Sequence, residues 1–287
     1  MTLFLLRYGE VGLKSPRVRR RFEQTLVANI HERCLMEGVE CLTRTERGRI
    51  FVSMDDLEDA KKIFSHTFGI VSFSPAVELS ADLRSLEEKA VELFEPLMRE
   101  GVGFAVRATR TGQHPFTSMD VARALGTALL SAYRGRGVHV DLTQPDLELF
   151  VEVRQNLAYF YTEVFKGPGG LPLGTQGRVL ALVEDERDAA AAWLLAKRGC
   201  TPVCAEREEG AAELLRPWIP GLRRLPWPEN PWALARKLRA HGIVVGWDMR
   251  RALEAPLKGQ ISVFYPLVGL GEGAVDEIIA RMLAPCI

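Results

Sequence analysis

After residue 173 the chain alternates regularly between two hydrophobic periods, and this limits its fold more than any other feature. Apolar runs at 178–183, 202–206, 223–226, 243–247 and 263–268 read as strands. Helical patterns fall between several of them, near 188–198, 209–218 and 231–241, with a last one near 275–283. Strands spaced this way pair in parallel, because a parallel connection needs a crossover long enough to hold a helix. A small doubly wound parallel sheet of α/β (Rossmann-like) type is expected over 174–287. The Gly/Pro-rich stretch 166–172, KGPGGLP, reads as the hinge that sets it apart.

The residues before the hinge follow another rule. A strand-like run covers 2–7, and Ser15-Pro16 then opens a helix through about 36, with Ser15 as N-cap and Pro16 in the first helical position. Phe22, Leu26, Ile30 and Cys34 recur every four residues and form one helix face. Strands at 40–45 and 48–54 flank a Glu-Arg-Gly turn, a helix covers 57–67, and a short strand covers 71–75. This βαββαβ order is the ferredoxin-like signature of an α+β domain over 1–77. The next segment, 78–170, predicts a helix at 83–99, a strand at 103–108, a helix at 117–134 capped by Thr117 or Ser118, and strands at 138–142, 147–154 and 158–165.

Composition bears on partners and compartment. Of 287 residues, 47% are hydrophobic and 26% charged, a globular mixture rather than a disordered one. No run approaches the roughly 18 apolar residues of a membrane span. The opening MTLFLLRYGE carries Glu10 and no small-residue cleavage site, so no signal peptide is expected. Cys34, Cys41, Cys200, Cys204 and Cys286 are an odd, sparse set, which argues against a disulfide framework and for a reducing, cytoplasmic setting. Cys200 and Cys204 lack a second ligand pair, so no metal is expected. The balance of 37 basic against 37 acidic residues does not exclude nucleic acid, because binding depends on where the charge sits.

Two basic groups stand out. Lys14, Arg17, Arg19, Arg20 and Arg21, backed by Arg7, precede a second set, Arg44, Arg47 and Arg49, on the expected hairpin. They suit phosphate contact, and a solvated helix face interleaved with Glu23 and Glu32 is the alternative. In AVRATRTGQHPFTS, Arg107 and Arg110 end a strand just before the helix N-terminus at Thr117-Ser118. Orphan N–H groups, two hydroxyls and two arginines there would make an anion site, against the alternative of a capped helix with ordinary surface arginines. Arg123, Arg134 and Arg136 extend the positive surface, and His114 sits beside it. Phe116 suits base stacking or burial.

These stretches resemble one family. LLRYGEVGLKS and RRRFEQTLVANI, within 5–30, look like the opening of the tRNA 4-thiouridine synthetases (ThiI). FAVRATRTGQHPFTSMDVARALG, 104–126, resembles the core of their THUMP domain, and 140–177 is similar to its end and the hinge. HGIVVGWDMRRALEAP, 241–256, and VFYPLVGL, 263–270, look like later parts of the catalytic domain. The resemblance implies a ferredoxin-like domain over 1–77, a THUMP domain over 78–170 and a pyrophosphatase-loop domain over 174–287. It further implies homodimers and a grip on the acceptor end of tRNA, with Arg107, Arg110, Phe116, Thr117, Ser118, Arg123, Lys14 and Arg20 as RNA-binding residues. In the family, the third domain adenylates uridine 8 with ATP, and a persulfide sulfur then displaces AMP.

The chain departs from the family at that chemistry. The family's SGGxDS phosphate loop is matched by Val183-Glu184-Asp185-Glu186-Arg187-Asp188. Both glycines are gone, so the backbone cannot approach a phosphate closely. Three carboxylates would repel a nucleotide, and like charges at about 4 Å cost on the order of a few kcal/mol near a protein surface. Trp247 and Asp248 follow Gly246 where the family has a TGE-type strand end, Cys204-Ala205 stands near its adenine site, and Glu254-Ala255-Pro256 replaces an SQT-like stretch. The family's persulfide cysteine lies beyond its PLxGL motif, and only Cys286 follows here.

The sequence therefore points to a tRNA-docking THUMP protein without catalytic residues or cofactor of its own, served by a sulfur-donor or ATP-using partner protein. An active tRNA sulfurtransferase and a non-RNA interaction scaffold are the alternatives. Arg187 is expected to join Glu184 and Asp188 in a surface ion-pair cluster.

Overall fold

The computed structural model describes every residue except Arg47, Ala255, Pro256, Lys258 and 285–287, so the readings placed on Arg47, Ala255-Pro256 and Cys286 lie outside it. Contacts divide the chain into two units, one of residues 5–73 and 165–287 (with Met1), the other of 2–4 and 74–164.

The first unit opens with β1 (Thr2–Tyr8, of which 5–8 belong to this unit), α1 (Pro16–Glu37), β2 (Leu42–Glu46), β3 (Arg49–Met54), α2 (Leu57–Ser65) and the first residues of β4 (Ile70–Ser80). The strand order β2-β3-β1-β4 is that of a ferredoxin-like sheet. Phe22, Leu26, Ile30 and Cys34 are all buried, as their four-residue spacing predicts. Ser15 stands at the N-cap of α1, but its hydroxyl makes no capping bond. Gly38, at φ +69°, ends the helix in the left-handed conformation that glycine adopts without steric cost.

The second unit holds the rest of β4, then α3 (Leu83–Phe94), β5 (Gly103–Thr111), α4 (Ser118–Ala132), β6 (His139–Val140), β7 (Leu147–Arg154) and β8 (Leu157–Tyr161). β5 and β7 run parallel, and β8 is antiparallel to β7 and to β4. Helices α3 and α4 supply Leu86, Ala90, Phe94, Val121, Leu125 and Leu129 to a core completed by Phe104, Leu149 and Phe160. Three expected spans change. The last strand of the first segment runs on to Ser80 because Val77–Ser80 find partners in β8. The strand expected at 138–142 stops at Val140, where the Asp141 carboxylate folds back onto the Thr143 and Gln144 amides. The stretch 158–165 divides into β8 and β9 (Phe165–Lys166), and β9 returns to the first unit on Ser72 and Phe73.

The remainder of the first unit is β10 (Arg178–Val183), α5 (Glu186–Lys197), β11 (Thr201–Glu206), β12 (Arg223–Pro226), α6 (Pro231–Lys237), β13 (Gly242–Val244), α7 (Met249–Glu254), β14 (Ser262–Phe264) and α8 (Glu272–Leu283). All its strand pairings are parallel, in the order β12-β11-β10-β13-β14. Alternation along β10 shows that both faces are covered. Val179, Ala181 and Val183 pack with α5 and α8, while Leu180 and Leu182 pack with α6. This is the expected doubly wound sheet.

The helix expected at 209–218 is instead a single 3-10 turn, Glu213–Leu215. Gly210 at φ +95° breaks the run, and the buried Glu206 carboxylate takes the Ala212 amide that a helix would have used. Helix α7 was not apparent in the sequence; Asp248 starts it by accepting from the Arg251 amide at 2.7 Å.

Candidate functional site

The sequence-predicted RNA residues of the second unit cluster where β5 ends and α4 begins. Arg110 is exposed at the end of β5, with Nη1 donating to the Gly112 carbonyl at 2.9 Å. Arg107, three residues back, is partly spent: Nε donates to Glu148 at 2.9 Å and Nη2 to the Leu142 carbonyl at 3.0 Å. Phe116 packs against the unit's core and stacks with His114 at 5.3 Å, so it is neither fully buried nor a free platform.

The α4 N-terminus, expected as an anion site, is capped by a carboxylate of the chain itself. Thr117 and Asp120 form a capping box, in which the Thr117 hydroxyl accepts from the Asp120 amide and the Asp120 carboxylate accepts from the Thr117 amide and hydroxyl. The Thr117 amide and hydroxyl hold the Asp120 carboxyl below its usual range. The helix terminus already carries its own anion, and Thr117 is a cap rather than a spare donor. Ser118 is half-buried in the first turn, and Arg123 is exposed one turn on. Arg136 is tied to Glu95 and to the Glu95 and Met98 carbonyls.

On the first unit, Lys14, Arg17, Arg20 and Arg21 are exposed around the start of α1 and carry no ion pair among the described residues. Arg20 lies where two concavities of about 580 and 430 Å³ share Pro16, Arg20 and Gln24. The second expected group is weaker, since Arg44 pairs with Glu46 at 3.4 Å and lies over the Phe51 ring.

The carboxyl edge of the parallel sheet holds what the sequence reading missed. Asp185 caps α5 by accepting from the Arg187 and Asp188 amides. Asp188 is buried, and its two oxygens accept from the Glu184 amide at 3.0 Å and the Gly246 amide at 2.5 Å, bridging the ends of β10 and β13. Burial raises its carboxyl above the ordinary value, and these two amides oppose the rise. Glu184 does not pair with Arg187. Arg207 grips its Oε1 at 2.8 Å and Arg251 its Oε2 at 3.0 Å, while Arg187 pairs with Glu272. The Arg207 guanidinium lies 4.2 Å over Trp227, and that of Arg251 lies 4.4 Å over Trp247. Trp227, Arg207 and Glu184 immediately follow β12, β11 and β10, and Trp247 lies three residues beyond β13, so they form a row in the spatial order of the strands. Their one legible signal is this recurrence at strand ends, where open α/β sheets form their ligand crevice.

Beside the row, a cleft of about 550 Å³ is lined by Glu184, Asp185, Glu186, Glu208, Glu209 and Glu213 over an apolar floor that includes Leu214 and Met282. Cys204 is buried within β11, and Cys200 is half-buried just before it. Among the described residues no group of three or more His, Cys, Asp or Glu side chains could hold a metal ion, and no helix is long and apolar enough to cross a membrane.

Comparison with known proteins places this geometry. The family model described as "ThiI ferredoxin-like domain" matches residues 3–74, and that described as "THUMP domain" matches 80–163. A protein of Methanosarcina acetivorans named "Probable tRNA sulfurtransferase" is 43% identical over an alignment of 331 residues that covers 97% of this chain and 80% of that protein. The chain belongs to the tRNA sulfurtransferase family. That alignment is longer than the 287 residues of this chain, so the family relative has internal residues that this member lacks. A second member, from Methanothermobacter thermautotrophicus, is 41% identical over 72% of this chain, but the chain spans only 52% of its length. A crystal structure from Pyrococcus horikoshii superposes with a TM-score of 0.83 at 30% identity, covering 98% of this chain and 99% of that one. A 4-thiouridine synthetase solved with RNA and bound ATP shares the fold, with a TM-score of 0.75 at 22% identity, and covers 98% of this chain and 85% of that one.

Proposed function

We propose that this family member docks the acceptor end of tRNA through its THUMP segment, 78–170, and the basic start of α1, and that it no longer adenylates RNA itself. The observation that carries the reading is an asymmetry. The segment 80–163 matches the THUMP family model and carries exposed Arg110 and Arg123. In contrast, the segment 174–287 carries carboxylates where the family's loop would cradle phosphates.

ATP is poorly matched by the residues present. Glu184 fills the end of β10, held there by two arginines. A phosphate at Asp185 or Glu186 would meet a like charge at close range. The α5 turn is pressed against Gly246 so tightly that even a Cβ there would lie 2.5 Å from the Arg187 carbonyl. On this reading the chain contributes RNA recognition, in the cytoplasm and as a homodimer, and a separate ATP-using or sulfur-donor protein supplies the chemistry.

The test is filter binding of the purified protein to intact tRNA, the same tRNA without its CCA end, and a duplex RNA control. Binding that depends on CCA and weakens with Arg110→Glu is expected; affinity no better than for the duplex would reject docking. An active sulfurtransferase is favoured by one observation, the 43% identity to a protein bearing that name. Release of pyrophosphate by the protein with tRNA and ATP would establish that alternative.

A further inference from the structure

The row at the carboxyl edge of the parallel sheet has the parts of a binding site, with one of its own side chains in the ligand's place. Two guanidinium groups face one carboxylate, and each takes a different oxygen of it. Arg207 and Arg251 are each backed by an indole face, which favours the orientation they already hold. Asp248 fixes the Arg251 backbone in addition. Glu184 offers two oxygens to the two guanidinium groups, and a phosphate group would offer a third.

We propose that Arg207 and Arg251 form an anion seat for a small phosphate-bearing ligand, with Glu184 as its resident stand-in. The seat can open by side-chain torsions alone. The Glu184 amide stays bonded to Asp188, so the backbone need not move. Both arginines are about half exposed, and Glu184 also lines the 550 Å³ cleft, so the seat is reachable from solvent. The native seat is closed by the two ion pairs that Glu184 makes. The seat lies at the stretch that matches the family's phosphate loop, but it is built from the side chains of Arg207 and Arg251 rather than from loop amides, and it stands or falls independently of the tRNA reading.

The experiment is calorimetric titration of the full chain with inorganic phosphate, phenyl phosphate and benzoate. The proteins compared are wild type, Glu184→Ala, Glu184→Gln and the Glu184→Ala/Arg207→Ala double variant, each checked for cooperative unfolding. Removing the resident carboxylate should tighten phosphate binding by about tenfold or more, and the added Arg207→Ala should abolish it. Phenyl phosphate binding like inorganic phosphate would mark a seat that reads the anion alone, and tighter binding would mark a phosphate ester as its ligand. Benzoate should bind more weakly than either. Folded Glu184→Ala and Glu184→Gln proteins without saturable phosphate binding would overturn the proposal, as would binding that survives Arg207→Ala.

Discussion

The carboxylate of Asp188 accepts the backbone amide of Gly246 at 2.5 Å across 58 residues of sequence, and this bond closes the switch point of the parallel sheet. Its other oxygen holds the Glu184 amide, so a single buried side chain fixes the ends of both central strands.

Gly246 is required by that closure. A Cβ there would stand 2.5 Å from the Arg187 carbonyl group and 2.6 Å from the Asp188 amide nitrogen, all backbone that cannot turn aside. Gly246→Ala should cost about 3 kcal/mol, the upper part of the overpacking range. Asp188→Ala, which strands two amides, should cost a similar amount. Because both changes break the same bridge, urea unfolding of the double variant should show less than the sum of the single losses.

Phe68 joins the ferredoxin-like segment to the α/β segment of the first unit. It is 2% exposed, stacks on Trp218 at 5.2 Å and meets Trp193 edge-on at 5.6 Å. Arg33 reinforces the join by donating to the Pro217 and Trp218 carbonyls, and burial pushes its guanidinium down to about 10. Phe68→Ala should destabilise the protein by about 3–5 kcal/mol. Tryptophan fluorescence and the far-ultraviolet signal of this unit should shift together in denaturant. A loss confined to the tryptophan signal would show that the segments unfold independently.

The fold was legible because its signals are periodic. The four-residue spacing from Phe22 to Cys34 and the apolar runs at 178–183 and 202–206 depend on burial, which follows pattern. The site was less legible because its groups meet through space. The Thr117 hydroxyl reads from sequence as both a cap and an anion donor, and Asp120 three residues later is the signal that it is spent on the cap. Arg207 and Arg251 are ordinary surface arginines in sequence, and only the strand order β12-β11-β10-β13 brings them to opposite sides of Glu184. Proximity in sequence suggests Glu184 and Asp188 as partners of Arg187, whereas it pairs with Glu272 across 85 residues.

The grip on Glu184 predicts a pH dependence. Burial alone would raise its carboxyl, but Arg251 and Arg207 outweigh burial and hold it below the ordinary 4.5. A carboxyl lowered by folding stabilises the protein fully above its unfolded value, and the gain disappears as pH falls through the folded value. Glu184→Gln should therefore melt below wild type by a constant margin from neutral pH to about 5, and the margin should close below 4.5. A margin that persists in acid would mean that Glu184 acts through packing.

The basic start of α1 predicts a salt signature. Lys14, Arg17, Arg20 and Arg21 are exposed without ion pairs among the described residues, whereas Arg19 lies within 3.8 Å of Glu23. Each phosphate contact releases condensed counterions, so a residue that touches the RNA backbone contributes to the slope of log affinity against log salt. Arg20→Ala should flatten that slope by roughly 0.7–1 and weaken different tRNAs alike, and Arg17→Ala/Arg20→Ala by about twice as much. Arg19→Ala should change it less, because its charge is already partly answered. A slope unchanged by all three substitutions would remove α1 from the RNA surface and leave docking to the second unit, where the same measurement on Arg110→Ala and Arg123→Ala would then decide it.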